Sequence, residues 1–347
     1  MDEKTELQLQ KNLAKQSPSK KSFYTHKDAG NVFLWSFICV YIVAFLATII
    51  GVGIFTRQGM ESADASKALT ENLAFQIVTA VITPLTFIAL FFIYTKVSKI
   101  SYRAAKVKFN LKWHTVLLII GISLVCVFGL QYAIHGVDLG LSALGYKLSS
   151  TSLPLNNGWW YVANLVILAL LPAIGEELIY RGIIFNGLRR NVSDKAAVFI
   201  SAALFTLMHG GLEQFIYPFI LGIFFGWLVL RTGSTLSSII LHFCNNAIVV
   251  TLSFVENMTG FDFLPKKSWL FWTLAAILLI VVFVTMFLID KFYFKKKTKL
   301  DTEKVTVPEQ RLAEGKVPSV SMILGIVVAG LIFVANVIMN FLPTPAA

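Results

Sequence analysis

Charge is scarce in this sequence. Only 14% of its 347 residues are Asp, Glu, Lys or Arg, whereas 56% are hydrophobic; a soluble domain carries about 25% charged residues. Long uncharged runs alternate with short charged ones, which excludes a soluble globular fold and fits a protein built into a bilayer. Cysteine is rarer still. Cys39, Cys126 and Cys244 lie dispersed within apolar runs, so they make neither a disulfide framework nor a zinc ribbon, and each reads as a small buried hydrophobe. No secretory signal opens the chain: the first 30 residues are polar and lysine-rich, without the early apolar core and small-residue cleavage site of such a signal. The helical zinc signature HExxH is absent as well.

What the sequence has is hydrophobic length. About twenty apolar residues cross a hydrocarbon core, and by that measure nine runs qualify: 32–55, 73–95, 114–135, 160–186, 196–214, 215–230, 236–255, 269–289 and 319–341. The fold expected is an all-α, polytopic transmembrane helix bundle. The formal charge of +11 supports this count better than it supports a nucleic-acid partner. Lysine and arginine concentrate between the runs, where they set topology and meet anionic lipid headgroups. With six lysines before residue 31 the N-terminus is cytoplasmic; loops 96–113 and 290–318, carrying six and eight Lys/Arg, fall on the same side. The opposite loops 56–72, 136–159 and 256–268 carry two, one and two. This divides the chain into a polar segment 1–31, three helices within 32–155, a core 156–256, an eighth helix within 257–289, a basic linker 290–318 and a last helix in 319–347. Gly222 and Gly226 have GxxxG spacing, read as ordinary helix packing. Trp159, Trp160, Trp269 and Trp272 read as interfacial anchors, and His135, beside Gly136, as an interfacial helix end.

Ionisable residues within membrane helices are costly and mark function. Here they cluster: Glu176, Glu177 and Arg181 on the fourth run, His209 on the fifth, His242 with Asn245 and Asn246 on the seventh. Glu177 and Arg181 are four apart, acid first, the favourable order for an intrahelical pair. Glu176 is rotated about 100° from that pair and faces elsewhere. His242 and Asn246 share one helix face, as do Phe205 and His209; Asn245 reads as packing or facing headgroup water. At 1.5 Å per residue, Glu176 and His209 lie about 18 and 20 Å from the cytoplasmic end, and His242 and Asn246 about 9 and 15 Å. That fits a single site opening toward the cytoplasm. A glutamate and a histidine in a poorly hydrated pocket can activate water, while a histidine and an asparagine can donate to an oxyanion. These are the parts for peptide-bond hydrolysis without a covalent intermediate.

The motifs Glu176-Glu177-x-x-x-Arg181, Phe205-x-x-x-His209 and His242-x-x-x-Asn246, in that order on successive helices, resemble the CPBP family of intramembrane proteases. That family includes the CAAX prenyl endopeptidases and bacteriocin-processing and immunity proteins. The likeness spans about Asn157 to Val255. It implies that Glu176 and His209 activate a water, that His242 and Asn246 form the oxyanion hole, and that Glu177 and Arg181 support the site. It implies metal-free chemistry, so no cofactor is expected; zinc on Glu, His and Asn is the lesser reading. The expected partners are membrane lipids and a peptide or membrane-anchored protein substrate. Two other functions compete with this one. A non-catalytic scaffold or immunity protein would use the same fold, and a proton-coupled transporter would use the same residue types, though it lacks paired broken helices in matching halves. Substrate identity, cleavage position and oligomeric state are written in none of these motifs.

Overall fold

The structure, a computed structural model, describes residues 21–148, 153–261 and 318–342, with single positions between 273 and 291. Among the described residues it is helical, apart from one isolated bridge between Lys21 and Ile100. In chain order the helices are α1 (His26–Arg57), α2 (Ser62–Glu71), α3 (Leu73–Val97), α4 (Trp113–Ala143), α5 (Gly158–Leu188), α6 (Asp194–Leu207), α7 (Ile216–Thr232), α8 (Thr235–Thr259) and α9 (Val320–Phe341). Of these, α1, α3, α4, α5, α8 and α9 are long and apolar enough to cross a membrane. Large apolar side chains such as Phe45 and Ile50 on α1 and Leu331 on α9 point outward, as a bilayer as solvent requires. The chain is an integral, multi-pass membrane protein with an all-α bundle fold.

Two of the nine expected spans are shorter than their hydropathy suggests. The run 196–214 yields α6, whose 14 residues reach only about 21 Å against a hydrocarbon core of about 30 Å. The 17 residues of α7 reach about 26 Å. The helix stops because Gly210 turns the chain at φ +72°, a conformation open to glycine, while apolar residues on both sides carry the hydropathy across the turn. Together α6 and α7 form a hairpin, and a hairpin leaves the alternation of the loops intact. The expected eighth span, 269–289, and the linker 290–318 lie outside the described residues. Two ends also moved. Helix α1 begins at His26 rather than at 32, because Thr25 and Asp28 form a reciprocal capping box. Helix α4 runs on to Ala143, so His135 sits within a helix and not at its end.

The polar connections sort into two groups. At one end, Lys21 N–H donates to the Lys99 carbonyl at 3.0 Å, and Thr235 N–H to that of Lys106 at 3.0 Å. His26 Nδ1 meets Asn191 Oδ1 at 3.0 Å. This end gathers residues 21–26 and 99–108, assigned to the cytoplasm by charge, with 187–193 and 232–235. At the other end Lys147 N–H donates to the Asn340 carbonyl at 2.9 Å, and the Tyr146 hydroxyl joins Glu213 and Asn340. Single cysteines placed at Lys99 and at Lys147, with Cys39, Cys126 and Cys244 replaced, will react with an impermeant maleimide from opposite faces of the membrane. Labelling from the same face would refute this arrangement.

Candidate active site

Helix α5 carries the acidic motif, and it is not a regular helix. Residues Leu165–Leu170 and Leu178–Phe185 are π-helical, flanking an α-helical turn, Leu171–Glu177. Such segments cluster at functional sites. Pro172 opens the α-helical turn and has no N–H to give the Leu168 carbonyl four residues earlier. That carbonyl instead accepts the Asn246 side-chain amide from α8 at 3.1 Å. Gly175 lets α3 approach: a Cβ there would stand 2.6 Å from the Pro84 carbonyl oxygen.

Below the site lies a buried ionic core. Arg181 donates from Nη1 to Glu177 Oε1 at 2.7 Å, and neither side chain is exposed (0% each). Its Nη2 donates to the Gly222 carbonyl on α7 at 3.1 Å. The guanidinium lies 4.6 and 4.9 Å from the ring centroids of Phe205 and Phe225, so aromatic faces cover the charge that no carboxylate covers. Gly222 and Gly226 pack against Ala202 and Val198 of α6, which makes the GxxxG spacing an internal contact.

Above this core, Glu176, His209, His242 and Asn246 line one cavity of about 310 Å³, with Phe205 and Phe225 also in its wall. Glu177 and Arg181 do not line it. His242 lies with its ring 4.9 Å from that of Phe225 at an interplanar angle of 21°. Its Nδ1 donates to Glu177 Oε1 at 3.3 Å, and its Nε2 is 3.9 Å from Glu176 Oε2. The second acid of the motif therefore orients the histidine as well as holding the arginine. His209 belongs to the turn after α6, not to a helix. Its Nδ1 donates to the Phe205 carbonyl at 3.0 Å, which leaves Nε2 as an acceptor. The Phe205–His209 relation thus survives the end of the helix.

Four further residues belong to the site. Asn245, expected either to pack or to face headgroup water, packs: it is fully buried and pairs with the Tyr217 hydroxyl, 2.7 and 3.0 Å from its amide nitrogen and oxygen. It also donates to Asn246 Oδ1 at 3.1 Å. Asn246 is thereby held by both ends of its amide, with one N–H left over. Tyr217, Glu213 and Gln214 line the cavity. The Asn245-Asn246 pair was the only trace of this network in the sequence; Tyr217 gave no signal, being one more aromatic in an apolar run. The cavity also extends the other way from the expected opening. Ala80, Ile134, Leu168 and Glu213, all on its wall, come from the halves of their elements remote from the lysine-rich end. Among the described residues no three His, Cys, Asp or Glu side chains are grouped to hold a metal ion.

Two substitutions test the packing. Arg181→Ala leaves the Glu177 carboxylate at depth without its guanidinium partner, a loss of about 3–5 kcal/mol, so the protein will accumulate poorly and melt at lower temperature. Gly175→Ala will separate α3 from α5 and lower both stability and activity. Wild-type accumulation and melting of either variant would contradict the corresponding contact.

Residues 158–248 match the model of a family described as type II CAAX prenyl endopeptidase, Rce1-like. No curated protein and no solved structure matches the chain. The matched segment starts at the first residue of α5 and ends within α8, two residues past Asn246, so it encloses all three motifs and leaves α1 to α4 and α9 outside. Over this segment, which is less than half of the chain, the sequence is similar to the type II CAAX prenyl endopeptidases.

Proposed function

We propose that the protein hydrolyses a peptide bond of a membrane-associated protein or peptide, with a water activated jointly by Glu176 and His209. One observation carries this reading: the four side chains of three separated motifs border a single cavity. Glu176 has no ion-pair partner on its own helix, since Arg181 is taken by Glu177, and its carboxylate is left to act as a base. His209 offers an unprotonated Nε2 to the same water. As the water oxygen attacks the scissile carbonyl carbon, its proton passes to Glu176 and negative charge gathers on the carbonyl oxygen.

That oxygen is met by the remaining N–H of Asn246 and by His242. Because Nδ1 of His242 is held by Glu177, the ring turns Nε2 toward the oxyanion, and it donates there when that nitrogen carries a proton. Donors fixed in a water-poor site are worth about 2.7–4 kcal/mol each in comparable hydrolases. On collapse of the tetrahedral adduct the C–N bond breaks, and the proton held by Glu176 goes to the leaving amine. No step calls on a metal. The family description names prenyl endopeptidases, so the substrate we propose includes peptides with a lipidated C-terminal segment.

The test is cleavage of a pooled peptide library, including prenylated C-terminal peptides, by the full-length protein in detergent. Glu176→Ala and His209→Ala will each abolish chelator-resistant cleavage without lowering thermal stability. Full activity in Glu176→Ala would overturn the mechanism, and chelator-sensitive cleavage would replace it with a zinc one. Absence of any cleavage by the intact protein would favour the scaffold reading. Tyr217→Phe, which loosens Asn245 and through it Asn246, will lower kcat about tenfold with KM little changed, the pattern of a lost transition-state contact. An equal rise in KM with kcat unchanged would assign Tyr217 to substrate binding.

A further inference from the structure

Glu213 lines the same cavity, yet the hydrolysis has no use for it. Its carboxylate is nonetheless held in place. The Tyr146 hydroxyl donates to Oε2 at 2.7 Å, and that hydroxyl accepts in turn from Leu212 N–H at 3.2 Å and from the Asn340 amide at 3.0 Å. Burial, reinforced by the hydrogen bond to Glu213, raises the Tyr146 pKa, so the hydroxyl remains a donor. Gly211 makes the position sterically possible: a Cβ there would lie 2.6 Å from Glu213 Oε1 and 2.7 Å from Oε2. An ionic group tied by a tyrosine from one helix end and an asparagine from another is a built feature, not a surface charge.

Among the described residues no Lys or Arg lines the cavity; its carboxylates and imidazoles are Glu176, His209, Glu213 and His242. Lys147, next to Tyr146, directs its ammonium to the Leu342 carbonyl. Asp138 of α4, with His135 near it, adds to the negative field at Glu213. Arg181 is sealed beneath the cavity floor with Glu177. A chain with a formal charge of +11 thus keeps a carboxylate, with no Lys or Arg among the described cavity residues, on the far side of its catalytic groups from its lysine-rich end. A substrate segment entering from that side passes Glu213 before it reaches Glu176.

We propose that Glu213 is a specificity-determining residue that receives a basic side chain, Lys or Arg, close to the scissile bond of the substrate. The inference rests on the hydrolytic reading of the cavity, and the experiment separates the two. Full-length protein carrying Glu176→Ala, and therefore not turning peptides over, is immobilised in detergent. It is offered a pool of apolar peptides identical except for one Lys, Gln or Glu at scanned positions, and the retained peptides are counted by mass spectrometry. With Glu213 present, Lys peptides will be retained over Glu peptides by about tenfold, equivalent to about 1.4 kcal/mol. Glu213→Gln will bring the ratio close to one and Glu213→Lys will invert it. The ratio within each variant cancels any loss of folded protein, and the overall positive charge works against the predicted preference. An unchanged ratio in Glu213→Gln, or no preference with Glu213 in place, overturns the proposal. Cleavage of the same pool by protein with Glu176 intact reports on hydrolysis alone: charge selection without cleavage would sink the hydrolytic reading, and cleavage without charge selection would sink this one.

Discussion

A guanidinium buried at membrane depth organises this protein. Arg181 has no exposed surface, and a charge in that position is tolerated only with every neighbour arranged around it. Glu177 neutralises it along the same helix, the Gly222 carbonyl receives it from α7, and Phe205 and Phe225 cover its faces from α6 and α7. Each of these partners also has a second task. Glu177 holds Nδ1 of His242. Phe225 stacks on the His242 ring. Phe205 presents its carbonyl to His209. One ion pair therefore fixes the orientation of both histidines, although neither touches the arginine through a hydrogen bond.

The irregularity of α5 complements that core. A straight helix with all its carbonyls bonded would offer Asn246 nothing to bind. Pro172 withholds one N–H, and the Leu168 carbonyl becomes the anchor by which α8 is registered against α5. The chain Tyr217–Asn245–Asn246 closes the arrangement from α7. The short hairpin of α6 and α7 then places His209 and Glu213 in a turn inside the bundle, where a full-length span would have carried them past the cavity. Helix α9, outside the family match, braces that turn: the Asn336 amide donates to the Gly210 carbonyl at 3.4 Å, and Asn340 reaches Tyr146.

Much of this was legible in the sequence, for identifiable reasons. The spans and their alternation follow from apolar length and lysine placement, and both are set by the bilayer rather than by partners. The Glu177–Arg181 pair is a local i,i+4 relation and could be read directly. The gathering of Glu176, His209, His242 and Asn246 was inferred from their rarity at depth. Gly210, Gly211, Glu213 and Gln214 mark the turn in the sequence, but that α6 stops as early as Leu207 was hidden because Leu207, Met208 and Phe215 keep its flanks apolar. The sequence left Asn245 between packing and headgroup water because its partner, Tyr217, is 28 residues away, and the role of Pro172 depends on a residue of α8. Which side the cavity extends toward depends on how the hairpin turns, and depth counted along single helices missed it.

The dependence of the site on the ionic core is tested most directly by a double-mutant cycle on Glu177 and Arg181. Thermal stability and the pH dependence of cleavage would be measured for Glu177→Gln, Arg181→Met and the two combined. A buried pair removed together leaves no uncompensated charge, whereas either change alone leaves one. The account predicts that the double variant regains most of the stability lost by Arg181→Met yet stays impaired in cleavage, because His242 has lost its carboxylate. Additive losses of stability, or full activity in the double variant, would show that the site does not rest on this pair.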